Sequence, residues 1–281
     1  EDIGFRKKTN NHLQFWKEGH SHNFINHSDI KQWQEESKQH ADPTFVKRIF
    51  ATTKEARAHF HRCMDEIRIT NFNALQRDDV LRLFRIYYDA VKRIRRVFEF
   101  STPAGTWFVE KEIKQLLTTT LSNPEKEETY LLTLLTPTTS DITQREHSDW
   151  FLLLQRKKIV TDDELLTHAQ TYASFFYNTY DPTFVLFYLK KKLQTDLTEA
   201  VGNEVQAIKK HHKAVHQKQE EIYRECGVLQ DKLRYYAFIL QHHAVDRFEL
   251  KNCWSGAEFL ALNMFEYLAG STGCSVDEFV A

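Results

Sequence analysis

The sequence contains few of the residues that interrupt helices. Among its 281 residues there are only 8 glycines and 5 prolines. Tight turns depend on these two residue types, so their scarcity argues against an all-β fold with many turns. The same counts exclude collagen-like and linker-like chains. The composition therefore favours long helices.

Cysteine is also scarce. The four cysteines include no pair at Cys-x-x-Cys spacing: Cys63, Cys226, Cys253 and Cys274. A chain of this length can bury a core without disulfides, and unpatterned cysteines are typical of a reducing compartment. We therefore expect free thiols and a cytoplasmic location.

The sequence has neither a large net charge nor a long apolar run. Lys and Arg number 38 and Asp and Glu number 39, which gives a net charge of −1. So balanced a chain has no global field to attract nucleic acid or an anionic membrane. No apolar run reaches the roughly 18 residues that a membrane-spanning helix needs. We therefore expect no nucleic acid and no membrane among its partners.

The first 40 residues differ in composition from the rest of the chain. They are polar and rich in His, Asn and Gln. We predict loops and short helices for 1–40 and a helical domain for 41–281. Because the chain begins with Glu1 rather than Met and no signal-peptide pattern follows, we expect it to be part of a larger multidomain protein.

Beyond this segment, apolar residues recur at intervals of three and four, which is the spacing of amphipathic helices. Asp42-Pro43 is a helix start signal, and a strong amphipathic pattern covers 80–98. Thr161 with Glu164 forms a capping box, which marks a further start. No convincing strand pattern appears. The predicted fold class is therefore all-α, a multi-helix bundle.

The longest apolar pattern lies near the C-terminus. Between Val205 and Leu240, steps of three and four alternate in a heptad-like seam. We predict one long helix or two in line, about 60 Å long if unbroken, with Gly227 as a kink. His212 and Gln219 are polar positions in this seam, where such residues set the register or face a cavity.

Histidine is frequent, with 14 in the chain. His212 and His216 are four residues apart, a spacing that holds zinc when a third ligand comes from elsewhere. No His-Glu-x-x-His motif and no zinc-finger spacing is present. We therefore expect solvated or core-edge histidines and no metal, and keep a His-cluster metal enzyme as an alternative.

Other polar groups point to no catalytic residue. Seven Arg and Lys residues crowd 77–96, a face that can bind phosphate but more commonly is a solvated helix surface. His147, Ser148 and Asp149 are neighbours on a predicted helix, so they cannot face one another as a triad. No Walker A loop and no Gly-x-Gly-x-x-Gly motif occurs.

Three segments together resemble part of a known enzyme family. Residues 131–154, LLTLLTPTTSDITQREHSDWFLLL, resemble the Leu-Thr-x-Pro … Ser … Arg-Glu segment of phosphoenolpyruvate-synthase-like phosphotransferases. Residues 165–193 resemble the Leu-x-x-His-x-x-x-Tyr … Asn-x-Tyr helix pair that follows it, and 228–270 resemble the helical tail after that. The family includes rifampicin phosphotransferase. The likeness covers 110–280 and concerns the helical region between two other domains of these enzymes.

The resemblance implies that the chemistry resides outside this chain. In such enzymes a nucleotide-grasp domain binds ATP and magnesium, and a mobile domain carries a phosphohistidine in a Thr-Gly-Gly-x-x-Ser-His type motif. Here the segment Thr272-Gly273-Cys274-Ser275 lacks the second glycine and the histidine. We therefore expect no cofactor in this chain and no catalysis by it alone, with ATP and magnesium belonging to the parent enzyme.

The resemblance also implies candidate binding residues. The candidate substrate-binding set combines aromatic and hydrogen-bonding side chains: Trp150, His168, Tyr172, Phe176, Asn178, Tyr180 and His212. Four members match the family motif: His168, Tyr172, Asn178 and Tyr180. We expect these four first to pack and hydrogen-bond, and second to line a pocket.

Two main functions follow from the sequence. The first is a helical module of an ATP-dependent phosphotransferase, or kinase, that binds a small organic acceptor. It would dock the missing nucleotide-grasp and phosphohistidine domains. The second is a stand-alone helical protein-interaction module, with its partner along the seam at 205–240.

Overall fold

The computed structural model describes residues 12–17, 20–25, 27–121, 123–156, 159–176, 181–196 and 204–280. The fold class is all-α, as predicted, apart from one short hairpin near the N-terminus. The helices follow one another in this order: α1 (His27–Ser37), α2 (Pro43–Ile69), α3 (Arg77–Phe98), α4 (Pro103–Thr120), α5 (Pro124–Leu135), α6 (Ile142–Arg156), α7 (Asp162–Thr171), α8 (Pro182–Asp196), α9 (Glu204–Glu225), α10 (Gln230–Ser255), α11 (Ala257–Leu260), α12 (Leu262–Thr272) and α13 (Val276–Val280).

The N-terminal segment differs from the predicted loops and short helices. Strands β1 (His12–Lys17) and β2 (His20–Ile25) pair antiparallel, with His12 opposite Ile25 and Lys17 opposite His20. In the sequence, Leu13 and Phe15 are separated by one polar residue, which is the two-residue period of a strand. A prediction from polar composition alone overlooked that period.

Local signals set several helix ends as the sequence predicts. Helix α2 begins at Pro43. The Thr161 hydroxyl accepts from the Glu164 N–H at 3.4 Å, and the Glu164 carboxylate accepts from the Thr161 N–H at 3.0 Å. This is the reciprocal geometry of a capping box, which satisfies amides at the start of α7 that have no partner within the helix.

The chain divides into two compact units, each made of three separate segments of the chain. Unit 1 contains 1–52, 96–138 and 214–247, and unit 2 contains 53–95, 139–213 and 248–281.

The main core of unit 1 is built from α4, α5, α9 and α10. Its most deeply buried members are aliphatic: Val109, Ile113, Leu117, Leu134, Leu233, Ala237 and Ile239. Burying one large aliphatic side chain contributes about 1.5–3 kcal/mol. This core therefore supplies much of the driving force for folding unit 1.

The predicted long C-terminal helix is two helices joined by a reversal of the chain. Helix α9 ends at Glu225 and α10 begins at Gln230, with Gly227 between them at φ +55°. Across this turn, Arg234 Nη1 pairs with Glu220 Oε1 at 2.6 Å, which requires the two helices to lie side by side. The prediction of two long helices is therefore confirmed, but the prediction that they run in line is wrong. Glycine adopts this left-handed conformation at little cost, so the chain turns here instead of kinking.

The seam that these helices carry is packed inside unit 1 from residue 215 to 240. The polar position Gln219 is buried and donates from Nε2 to the carbonyls of Thr133 and Thr136, at 2.9 Å each. Apolar positions of the seam are buried in the same unit: Val215, Ile222, Cys226, Leu233, Tyr236 and Leu240. This part of the predicted partner surface at 205–240 is therefore internal and not available to a partner.

A buried histidine pair joins the segment after α1 to α10 in unit 1. Nε2 of His40 lies 3.0 Å from Nε2 of His243, and Nδ1 of His40 lies 2.9 Å from the Ser37 carbonyl. Because a carbonyl only accepts, His40 donates from Nδ1, its Nε2 accepts, and His243 Nε2 donates. Both rings are thus neutral in the folded protein. Burial lowers the pKa of both histidines below the ordinary value of 6.5.

This pair predicts that acid destabilises the protein. Because the pKa is depressed in the folded state, the unfolded chain binds more protons below pH 6.5. The stabilisation is complete above that pH and is lost as the pH falls towards the folded-state pKa. We expect the free energy of unfolding in urea to fall between about pH 7.5 and about pH 5.5.

The variant His243→Leu should lose part of this pH dependence. It should also cost about 1–3 kcal/mol at neutral pH, because the His40 Nε2 acceptor loses its donor. His216→Gln, at an exposed position on α9, is the control and should keep the full dependence. An unchanged pH profile in His243→Leu would show that the pair is not neutral when folded.

Candidate functional site

Four of the predicted binding residues are buried in unit 2, on α6, on α7 and in the segment that follows α7. Trp150 lies on α6, His168 lies on α7, and Tyr172 and Phe176 follow α7. The start of α6 is fixed locally, because the Asp141 carboxylate accepts from the Gln144 N–H at 2.9 Å. The sequence therefore names the correct helices for this cluster.

The apolar side of the cluster is a packed core. Trp150, Phe151 and Leu154 of α6 pack with buried residues of neighbouring elements: Leu165, Ala169, Ala173, Phe176, Val185, Leu189 and Phe259. Trp150 is fully buried and Phe176 is nearly so. Both side chains therefore pack these helices together.

The polar edge of Trp150 is held by α8. Its indole Nε1 donates to Asp196 Oδ2 at 2.7 Å, and the Lys192 ammonium lies 4.2 Å from the ring centroid. A cation over an indole face is attracted by the electron density of the ring. These two contacts fix the indole in one orientation against the C-terminal half of α8.

A half-buried carboxylate connects α6, α7 and α8. Glu146 Oε1 lies 3.0 Å from His168 Nε2 and 3.5 Å from Lys192 Nζ. Burial alone would raise the pKa of Glu146, but the hydrogen bond from His168 and the Lys192 charge hold it below its usual value. Glu146 is therefore an ionised, paired group. Glu146 was not among the predicted site residues, and the one signal for it in the sequence is its spacing of four residues from Trp150 on α6.

Tyr172 is held as a neutral phenol. Its hydroxyl donates to Asp149 Oδ2 at 2.5 Å. Burial and the neighbouring Asp149 carboxylate both raise the pKa of Tyr172 strongly. The Asp149 carboxylate thus accepts from Tyr172, and this contact gives it a role other than the triad that the sequence analysis dismissed.

A second buried carboxylate, Glu249 of α10, accepts from two arginines. Arg57 Nη2 of α2 lies 3.0 Å from one carboxylate oxygen, and Arg145 Nη2 of α6 contacts the other. The Glu249 side chain is only 8% exposed. Close by, Cys253 Sγ lies 3.8 Å from His61 Nε2. Burial raises the pKa of Cys253 to about 12, so this thiol is not a nucleophile at neutral pH.

His212 also reaches α6, from α9. Its Nε2 lies 3.1 Å from the side-chain oxygen of Gln144, and its side chain is half-buried. Burial and then the neighbouring His211 lower the pKa of His212. Asn178 and Tyr180, the remaining predicted binding residues, lie outside the described residues.

The cluster around α6 consists of ion pairs and hydrogen bonds that satisfy one another. Glu146, Asp149 and Glu249 each accept from a donor on another element: His168, Tyr172 and Arg57 respectively. Across the described ranges, no three His, Cys, Asp or Glu side chains form a group that could hold a metal ion. The cluster is therefore built to position helices, and its partly exposed members are the ones that can meet a ligand.

Comparison of the chain with protein-family models, curated proteins and solved structures finds no match. The phosphotransferase resemblance therefore stays a prediction. Within the part of the chain that the structure describes, no helix is both long enough and apolar enough to cross a bilayer.

The ion cluster at Glu249 predicts a large effect of a small substitution. Glu249→Gln should lower the free energy of unfolding by about 2 kcal/mol, because two arginines lose a buried carboxylate but remain partly solvated. The measurement is a urea titration at neutral pH. Glu110→Gln, which breaks an exposed pair with Lys114 on α4, is the control and should cost about 0.5 kcal/mol or less. Equal losses in both variants would contradict this interpretation.

Proposed function

We propose that this chain is a helical binding module of a phosphoenolpyruvate-synthase-like phosphotransferase, and that it binds the acceptor substrate. The observation that carries this proposal is the packing of α6, α7 and α8 into one cluster. Those helices come from the two segments, 131–154 and 165–193, with the most motif-like resemblance to the family. ATP and magnesium would act in the domains that supply the phosphoryl group.

The chemistry of the described side chains supports a role without catalysis by the chain alone. The α6 carboxylates are paired, the Tyr172 phenol is held neutral and the Cys253 thiol is protonated. We further propose a cytoplasmic location, because the cysteines are free thiols, three buried and one exposed.

The acceptor would contact the surface edge of the cluster. Trp150, Tyr172 and Phe176 are buried and hold the helices in place. His212 and Lys192 are only partly buried and reach the surface from this same cluster. We expect these two side chains to hydrogen-bond the hydroxyl groups of an organic acceptor.

A thermal-shift titration tests this function. The purified chain is heated with ATP and magnesium, with phosphoenolpyruvate, and with a panel of apolar hydroxylated compounds. A panel compound at 100 times its dissociation constant should add about 2.7 kcal/mol of stability. The variant His212→Ala should abolish that shift, and His216→Ala should preserve it. Stabilisation by ATP and magnesium, or by no compound at all, would contradict the proposal.

A second candidate function is a protein-interaction module that acts alone. It is favoured by the outer face of α8, where three aromatic side chains are exposed: Phe184, Phe187 and Tyr188. Because the seam from residue 215 onward is internal, this face replaces it as the surface on which a partner would dock.

A further inference from the structure

The outer face of α8 is aromatic and open to solvent. Phe184 is 57% exposed, Phe187 is 67% exposed and Tyr188 is 51% exposed. Spacings of three and four residues place all three on one side of the helix, while Val185 and Leu189 enter the core on the other side. Single exposed apolar residues are ordinary, but a contiguous aromatic patch marks a surface that binds something.

One positive charge accompanies these aromatic rings. Lys191 is exposed, three residues beyond Tyr188 and four beyond Phe187, and thus lies on the same face. The adjacent lysines are used within unit 2, since Lys190 pairs with Asp162 at 2.8 Å and Lys192 pairs with Glu146. Among the described residues, no ion pair engages Lys191. No Asp or Glu occurs between Thr183 and Thr195, so the face carries charge of one sign.

The spacing of the exposed aromatic rings on α8 fits another helix as the binding partner. A convex helix surface with apolar side chains at intervals of three and four packs against the grooves of another helix. The Lys191 ammonium at the end of the aromatic row is complementary to a carboxylate. We propose that α8 docks an amphipathic helix of a partner protein, whose apolar side covers Phe184, Phe187 and Tyr188 and whose carboxylate pairs with Lys191.

The size of the patch indicates a transient partner. An aromatic side chain buries about 150–250 Å² when fully covered. Three half-exposed rings therefore offer a few hundred Å², whereas a stable interface takes about 800 Å² from each partner. A permanent dimer of this chain through α8 is thus disfavoured, and a partner that binds and releases is favoured.

The charges around α8 argue against a lipid surface as the occupant. One unpaired lysine contributes only about 1 kcal/mol at an anionic membrane. Helix α7 begins with three acidic residues, Asp162, Asp163 and Glu164. Asp162 pairs with Lys190 of α8. Because Lys190 and Lys192 pair within unit 2, Lys191 is the lysine of α8 that can pair with an acidic group of a partner.

The test uses two synthetic amphipathic helices that differ only in charge. Both carry leucines at intervals of three and four, flanked by Glu in the acidic peptide and by Lys in the basic peptide. We expect the chain to bind the acidic peptide in a fluorescence-anisotropy titration. Phe187→Ser and Lys191→Glu should each weaken that binding about tenfold, which corresponds to about 1.4 kcal/mol. Lys191→Glu should also improve binding of the basic peptide.

Controls separate this face from a general loss of structure. Phe238→Ser on α10 and Lys218→Glu on α9 remove an exposed ring and an exposed charge elsewhere, and should bind as the unmodified chain does. All variants should show the same unfolding midpoint within error, because the substituted side chains are largely solvated.

Three results would overturn the proposal. The first is no binding of the acidic peptide up to about 1 mM, and the second is equal binding by Phe187→Ser and the unmodified chain. The third is binding to phosphatidylserine vesicles, or dimerisation in sedimentation, that is lost in Phe187→Ser while the peptide does not bind. Because the peptide test does not involve His212 or small compounds, it can fail or succeed independently of the proposed acceptor function.

Discussion

The pairing of two carboxylates around α6, the half-buried Glu146 and the buried Glu249, is the constraint on which unit 2 depends. Glu146 and Glu249 lie where an unpaired charge would cost several kcal/mol, so each needs a cation from another helix. Lys192 meets the first, and Arg57 and Arg145 meet the second. These pairs fix the register of α8, α2 and α10 against α6, and the aromatic core around Trp150 fills the space that remains.

The local features of this fold could be predicted from the sequence, because each depends on residues close together in the chain. The start of α2 at Pro43 and the capping box of α7 are of this kind. The long-range pairs could not be predicted in this way. His40 and His243 meet across 203 residues, and Glu146 meets Lys192 across 46. No spacing rule for a single chain identifies such partners. Gly227 was recognised as a break, but a glycine alone does not distinguish a kink from a reversal.

The candidate site likewise combines features that the sequence predicts with features that it does not. Trp150, His168 and Tyr172 were among the predicted binding residues, and their rings do lie in one cluster. Periodicity does not distinguish the buried face of a helix from the exposed face when both carry apolar residues. Helix α8 is such a case. Val185 and Leu189 enter the core, whereas Phe187 and Tyr188 point to solvent. The exposure of the aromatic face of α8 was therefore found only in the structure.

The central claim is that Trp150 and Tyr172 are closed inside unit 2 while the α8 aromatic face is open. Hydroxyl-radical footprinting with mass spectrometry tests it directly, because oxidation rates report the solvent exposure of individual side chains. The structure predicts fast oxidation of Phe184, Phe187 and Tyr188, and strong protection of Trp150 and Tyr172. Oxidation of Trp150 and Tyr172 at rates matching Phe187 would contradict it.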